Sequence, residues 1–485
     1  MSTSSKPETS DEKEAVTFEL YSDQVLTENE TALVKSYLRK SDLRVLPILI
    51  ALYIFSLIDR GAIGAALANG LRVGLKLTQS EEFLSTAIFS VFYIICEIPS
   101  NIILKKMRPN VWFTIIGTLW SITCMLQAFA KNGTSFTILR ALLGIFESGF
   151  SPGVIAYLNY WYTRTELGSR MLYFYMSFSI AGIIGSPLSA ILASNKIFSF
   201  KPFQSIFFFE GLITLILCII GYFVIQNSPE EAKFLTVEER ELALRRLSNE
   251  QGISSKTKVN MRQTFQILMD WKLWIFCLIL LGAGVGPVVG SIFGPSIITS
   301  LGFTGVQATY LAGLPSISGL AGLFAAVYMT NKLDYSVIIV FFGIVHIVGY
   351  SVFVFASGKI IRLVFSFISG FGSLPLIPVS ITWCLINQGG IFKRMIASAL
   401  IVSISTTSGI FLPRVFVYKY FPKFTIGHSL AIGIMSLALA LTVFLNVYYR
   451  YENKRRDIAN GDVSHLSEQE QRDLFDKHPK FRYRL

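Results

Sequence analysis

Long apolar blocks alternate with polar stretches along this chain of 485 residues. A bilayer core of ~30 Å needs about 20 apolar residues per helix. Scanning at that length marks six segments, at roughly 43–68, 84–104, 112–130, 135–158, 170–194 and 203–226. A polar stretch at 227–270 follows, and then six more segments at roughly 271–293, 308–330, 337–357, 360–386, 394–416 and 425–449. Short turns separate the third from the fourth and the ninth from the tenth, so the boundaries there are soft. The pattern predicts an all-α membrane protein of twelve transmembrane helices in two six-helix bundles. Its expected divisions are an N-terminal tail at 1–42, a bundle at 43–226, a linker at 227–270, a second bundle at 271–449 and a tail at 450–485.

Composition agrees with that pattern. At 52% hydrophobic and 14% aromatic residues, the chain carries more apolar surface than a soluble core of this length could bury, so lipid is the expected solvent. Cys96, Cys124, Cys218, Cys277 and Cys384 all lie inside apolar stretches. Without paired or metal-ligand spacing they read as packing residues, with no disulfide framework and no zinc site. The first forty residues are polar and contain no apolar run with a cleavage site, so no signal peptide is expected.

Orientation follows from basic clusters, because the short loops are nearly balanced. Lys35, Arg39, Lys40 and Arg44 precede the first helix; Arg240, Arg245, Arg246, Lys256, Lys258 and Arg262 fall in the linker; Arg450, Lys454, Arg455 and Arg456 follow the last helix. An even number of spans puts all three clusters on one face, which the positive-inside rule makes cytosolic, with both termini. The net charge of +12 then reflects a basic face meeting anionic lipid and calls for no nucleic acid. The sequon at Asn132 would face outside but lies almost against the membrane.

A charged side chain near the bilayer centre costs about 3 kcal/mol or more, so one retained there faces a partner or a wet cavity. Asp59 and Arg60 sit in the outer half of the first helix, and Arg140 and Glu147 in the fourth. At ~100° per residue Arg140, Gly144, Glu147 and Ser151 form one polar stripe. Counting ~1.5 Å per residue puts Asp59 and Arg140 at similar heights and Glu147 roughly ten Å deeper. Asp59 is therefore expected to pair with Arg140, and Arg60 to reach towards Glu147. Such a nearly neutral cluster changes charge by one when a carboxylate takes a proton. It suits coupling an anion to a proton: Arg60 would hold a substrate carboxylate bidentately once Glu147 is protonated. The plainer alternative is a static network that fixes helix packing.

Other buried polar groups suggest less. Glu97 lies nearer the cytosolic side with Lys105, Lys106 and Arg108 following it, which reads as a gate or a contact between bundles, or as packing. His346 has no acidic neighbour in its own helix and reads as packing. Glu210 and Arg414 stay ambiguous. Glycine and proline gather in the fifth, seventh, eighth and tenth helices, where they allow close approach and bends. Gly282, Gly284 and Gly286 neither follow a strand nor open a phosphate-cradling helix, so no nucleotide site is implied. No metal cluster, nucleophile and base, or cofactor motif appears, so neither an enzyme nor a cofactor is expected.

Several stretches resemble the anion:cation symporter branch of the major facilitator superfamily, in particular its fungal allantoate, nicotinate, pantothenate and biotin permeases. They are LIDRGAIG at 57–64, EIPSNIILKKMRP at 97–109, RALLGIFESGFSPGVIAYLNYWYTRTELGSR at 140–170, SPEEAKFLTVEER at 228–240, FGPSIITSLGF at 293–303, NQGGIFKR at 387–394 and KFRY at 480–483. The resemblance implies two bundles alternating access to a central cavity. It also implies that Arg60 anchors the substrate anion, that Asp59 and Glu147 carry the proton, and that Arg140 is the partner. Two departures bear on substrate: Gly61 and Ala62 stand where the branch often has a small polar residue and asparagine, and Thr407-Ser408 replaces a common asparagine.

The expected function is proton-coupled symport of a small organic anion, a carboxylate such as a vitamin or nitrogen-source acid. Partners would be that anion, protons and membrane lipid, for a monomer in the plasma membrane, with endoplasmic reticulum and vacuole left open. A proton-independent facilitator, an antiporter, or a sensor that binds without moving its ligand are the alternatives.

Overall fold

The computed structural model describes residues 28–104, 106–195, 199–254, 261–330, 332–388, 391–416, 423–459, 476, 479 and 481–485. Helices make up most of this, with no strand among the described residues. The first six spans are Leu46–Ala68, Gln79–Leu104, Pro109–Gln127, Gly133–Glu147 continued by Phe150–Leu158, Ser177–Ser194, and Pro202–Val224. The second six are Trp271–Val288, Gly305–Leu311 continued by Leu314–Thr330, Tyr335–Phe355, Lys359–Ile386, Ile391–Thr406 continued by Ser408–Val415, and Thr425–Ala459. Eleven helices are long and apolar enough to cross a bilayer among the described residues. The second span, at 26 residues, corresponds to the remaining segment marked in the sequence. At ~1.5 Å per residue it is long enough to cross.

Local chemistry sets several of these ends. Proline starts the third and sixth spans at their first position, where its missing N–H costs nothing. Asn132 and Ser135 close a capping box on the fourth span, with the Ser135 N–H donating to Asn132 Oδ1 at 2.8 Å. That fourth helix breaks at Ser148-Gly149, one residue past Glu147. The seventh span passes Pro287 and then widens into a π turn, Val289–Phe293, before Gly294–Thr299 resumes; such turns are frequent where function needs the backbone re-aimed.

Helix also appears where a polar tail was expected. Glu28–Arg44 lies across the linker-side end of the first bundle, with the Tyr37 hydroxyl donating to the Trp161 carbonyl at 2.6 Å. It pairs with the linker helix Val237–Ser254 through Lys40 and Glu239 at 2.8 Å and through Arg245 and Glu30.

Each half packs its own apolar core. Trp120, Phe136, Trp161 and Phe207 centre the first, and Phe276, Phe342 and Trp383 the second. The halves approach closely between the first and seventh, the first and eighth, the second and eleventh, and the fifth and eighth spans. A Cβ at Gly64 would fall 2.4 Å from the Ile292 carbonyl oxygen in the π turn, so only glycine lets the first and seventh spans meet there. Asn69 adds a hydrogen bond to Thr309 Oγ1 at 3.0 Å. Ser90 of the second span faces Gly409 of the eleventh.

Candidate functional site

The charged residues singled out in the sequence fall inside the first bundle, where Gly144 controls their spacing. A Cβ there would lie 2.4 Å from the Phe89 carbonyl oxygen, so its absence seats the fourth span directly on the second. Glu147, one turn further along, is fully buried. Its Oε1 accepts from Arg60 Nε at 2.6 Å and from Ser56 Oγ at 2.5 Å, while its Oε2 has no partner. Ser56 and Arg60 are four apart, so the first span presents both to one carboxylate.

Arg60 differs from its partner in exposure. Its side chain is 26% exposed, against 0% for Glu147, so a ligand would meet the guanidinium and not the acid. The guanidinium carbon lies 4.5 Å from the Tyr93 ring centroid and 5.5 Å from that of Phe89. These rings favour the cation through their negative faces and fix its plane.

Asp59 and Arg140 do not form the pair expected between them. Asp59 is fully buried. It accepts from Trp120 Nε1 at 3.2 Å, from Thr214 Oγ1 at 3.0 Å and from Cys124 Sγ at 3.6 Å. Arg140, 1% exposed, instead donates from Nε to the Ser85 carbonyl at 3.3 Å and stacks 5.1 Å from Phe89, with its Nη1 unpartnered. The reason is angular. Neighbouring residues on a helix diverge by ~100°, so Asp59 points to the third and sixth spans while Arg60 points to the fourth. Equal height does not bring Asp59 and Arg140 together.

Glu97 lies 7% exposed on the second span, beside Ser403 of the eleventh. Arg108 is exposed where the third span begins, and no ion pair joins it to Glu97 among the described residues. Lys105 lies outside the described residues.

Sequence reasoning missed the groups that hold these charges. Ser56 carried a faint signal as a hydroxyl one turn before Arg60. Phe89 and Tyr93, one turn apart on an apolar helix, looked like packing, as did Trp120, Cys124 and Thr214.

The fold is an all-helical, two-bundle membrane fold with acidic and basic side chains in the interior of one bundle. The chain belongs to the major facilitator superfamily, whose family model matches residues 49–388. An uncharacterised transporter of Schizosaccharomyces pombe is 27% identical over 455 residues, covering 93% of this chain and 90% of the relative. The major facilitator-type transporter hxnP of Emericella nidulans is 27% identical over 94% of both chains. A protein of Agrobacterium vitis, named for the proposed transport of tartrate, is 31% identical over 60% of this chain and 63% of its own. Among solved structures, a bacterial homologue of the human lysosomal transporter Spinster, inward-facing and unoccupied, superposes with a TM-score of 0.60 at 14% identity. It covers 83% of this chain and 94% of that one. The nucleoside transporter NupG gives 0.60 at 10% identity, over 81% and 98%. At such identities the structures speak to the fold alone. The chain is a membrane transporter of the major facilitator type, and not an enzyme.

Proposed function

We propose that this transporter couples the movement of a small organic anion, a carboxylate, to protons, as a symporter of the anion:cation branch. The observation that carries the reading is the ion pair between a partly exposed Arg60 and a fully buried Glu147. An incoming carboxylate competes with Glu147 for the same guanidinium. When Glu147 takes a proton, Arg60 is released and can grip the substrate through two parallel N–H donors. Substrate charge thus replaces the carboxylate charge that the proton removed, and the bundle interior stays neutral. Arg140 serves as the balancing cation, and Asp59 as a second proton site. The tartrate named for one relative is a carboxylate of the kind this site would hold.

By the basic clusters both termini would lie in the cytosol, and the chain would act as a monomer in the plasma membrane. Glu97 beside Ser403 would be a point where the two bundles part and rejoin.

The test uses proteoliposomes with an imposed pH gradient and a panel of labelled carboxylates, tartrate and nicotinate among them. Wild type is expected to accumulate its substrate as external pH falls. Glu147→Gln should retain counterflow exchange and lose proton-driven accumulation. Accumulation that stays fully pH-dependent in this variant would falsify the assignment of the proton to Glu147, and downhill flux alone in wild type would make the protein a facilitator.

A further inference from the structure

Glu210, on the sixth span, is a fully buried acid that the scheme above leaves unused. Ser189 of the fifth span donates to its Oε1 at 2.5 Å, while its Oε2 has no hydrogen-bond partner. One turn along, the Thr214 hydroxyl is shared between the Glu210 carbonyl and Asp59 Oδ2, at 3.0 Å from each. Cys124 of the third span, 3.6 Å from Asp59 Oδ1, interacts electrostatically with Asp59, Glu210 and Arg140. The groups facing Glu210 from the packed helices are therefore Asp59 on the first span, Cys124 on the third and Ser189 on the fifth. Arg140 on the fourth stands behind Cys124, and Cys218 lies two turns along the sixth.

Among the described residues, and apart from Glu97 beside Ser403 at the seam with the second bundle, the interior of this bundle holds two guanidiniums, Arg60 and Arg140, and three carboxyls, Asp59, Glu147 and Glu210, of which all but Arg60 are buried. Glu147 is matched by Arg60. Arg140 can match one of the other two acids and not both. An ionised Glu210 would leave one oxygen with neither donor nor cation in a dry interior, which is strongly unfavourable. Asp59, by contrast, is met by three donors.

We propose that Glu210 is a positioning residue for the coupled proton: it shares one proton with Asp59, and through Asp59 it sets the pH at which transport responds. The proposal rests on the proton-coupled reading above. No hydrogen bond joins the two carboxyl groups, so the pair holds its one proton as two acids coupled through space, and the proton count of the pair is unchanged whichever acid carries it.

The experiment has two readouts. Infrared difference spectra of the full chain in lipid nanodiscs, recorded without substrate between about pH 5 and about pH 9, report protonated carboxyls that are neutral well above the usual range of about 4. Wild type should show a buried protonated carboxyl that is lost in Glu210→Gln, because Asp59 alone keeps its three hydrogen-bond donors. In Asp59→Asn it should persist but titrate at a different pH. Uptake of labelled tartrate in proteoliposomes is the second readout. In Glu210→Gln the half-maximal point should move down by about one pH unit, a tenfold change in proton concentration, as expected when one of two coupled acids is removed. A carboxyl signal unchanged in Glu210→Gln overturns the proposal. If that variant does not fold, Glu210→Asp replaces it, and a signal identical to wild type overturns the proposal equally. If the infrared result is as expected but wild-type uptake shows no pH dependence, the proton-coupled reading fails and the shared proton stands.

Discussion

The two bundles handle buried charge in opposite ways. In the first, ionisable groups sit at depth and are incompletely matched: Glu147 Oε2 and Arg140 Nη1 have no partners. The interior of the second contains neutral pairs. His346 Nδ1 lies 2.9 Å from Ser369 Oγ, and the Tyr350 hydroxyl 2.8 Å from His428 Nδ1. Its charges gather instead at the linker-side end. There Lys272 pairs with Asp476, and Lys393 pairs with Asp270 and, at 2.6 Å, with Asp476.

In that second network every carboxylate and ammonium group is bonded. Tyr483 donates to Asp476 Oδ2 at 2.7 Å and stacks on Tyr449 with centroids 4.2 Å apart. Trp383 Nε1 donates to the Arg484 carbonyl at 2.9 Å, and the Asn387 side chain bonds the Arg484 backbone in both directions. The result staples the last residues of the chain across the ends of the seventh, tenth, eleventh and twelfth spans. Burial raises the proton affinity of the Asp476 carboxyl, but the ammonium groups of Lys393 and Lys272 outweigh it and hold Asp476 below the usual carboxylate range. Buried ion pairs therefore do two kinds of work here. On the proposed mechanism the fully bonded set fixes structure, and the set with vacant bonding capacity changes partners.

Substitutions can break or sharpen this contrast. The largest effect is expected at Arg60. Arg60→Ala should abolish uptake and also destabilise the fold by about 3–5 kcal/mol, because it strands a buried carboxylate. Arg60→Lys keeps the charge, so it should fold with uptake still reduced at least about tenfold, because a point charge cannot replace the planar fork. Near-normal uptake in the lysine variant would remove the bidentate argument. Melting curves and initial rates together separate the two effects.

Asp476→Asn should cost about 1–3 kcal/mol through the lost charge-assisted bonds and speed hydrogen exchange at residues 481–485. Its uptake profile should keep the wild-type pH dependence. The sign of the wild-type effect follows from the depressed carboxyl: its stabilisation is present above the unfolded value of about 4 and fades as pH falls through the folded value. Docking of the tail should hold from about pH 8 to about pH 5, the range over which uptake is expected to change. Tail release inside that range would erase the distinction between the two networks.

The smallest effect is expected at His346, whose other nitrogen, with Ser380 and Thr442, borders a cavity of about 20 Å³, room for one water. His346→Gln should change stability by about 1 kcal/mol and leave the pH profile of uptake where it was. A displaced profile would bring the second bundle into proton coupling.

Much of the site could be read in the sequence because lipid leaves few places for charge. Asp59, Arg60, Arg140 and Glu147 stood out against apolar helices, and the pairing of Arg60 with Glu147 was foreseen from length and height. The expected partnership of Asp59 with Arg140 failed because depth along the helix axis was known and azimuth was not. Glu210 was seen but given no role, since nothing along the chain placed it near Asp59. The stapled tail was visible only as KFRY near the end of the chain, with no hint that Asp476 would meet Lys272 and Lys393.

Hydrophobic block length by itself determined the all-helical membrane fold, because every backbone polar group in lipid must be satisfied within its own helix. Composition and intramembrane charge then pointed to a transporter and to four residues. Only the tertiary structure decided how those charges are shared out: that Phe89 and Tyr93 frame Arg60, that Asp59 turns away to Trp120, Cys124 and Thr214, and that Gly64 and Gly144 set the distances. Those outcomes depend on helix rotation and on approaches of a few ångströms between residues far apart in the chain, and neither quantity is carried by the order of residues along one helix.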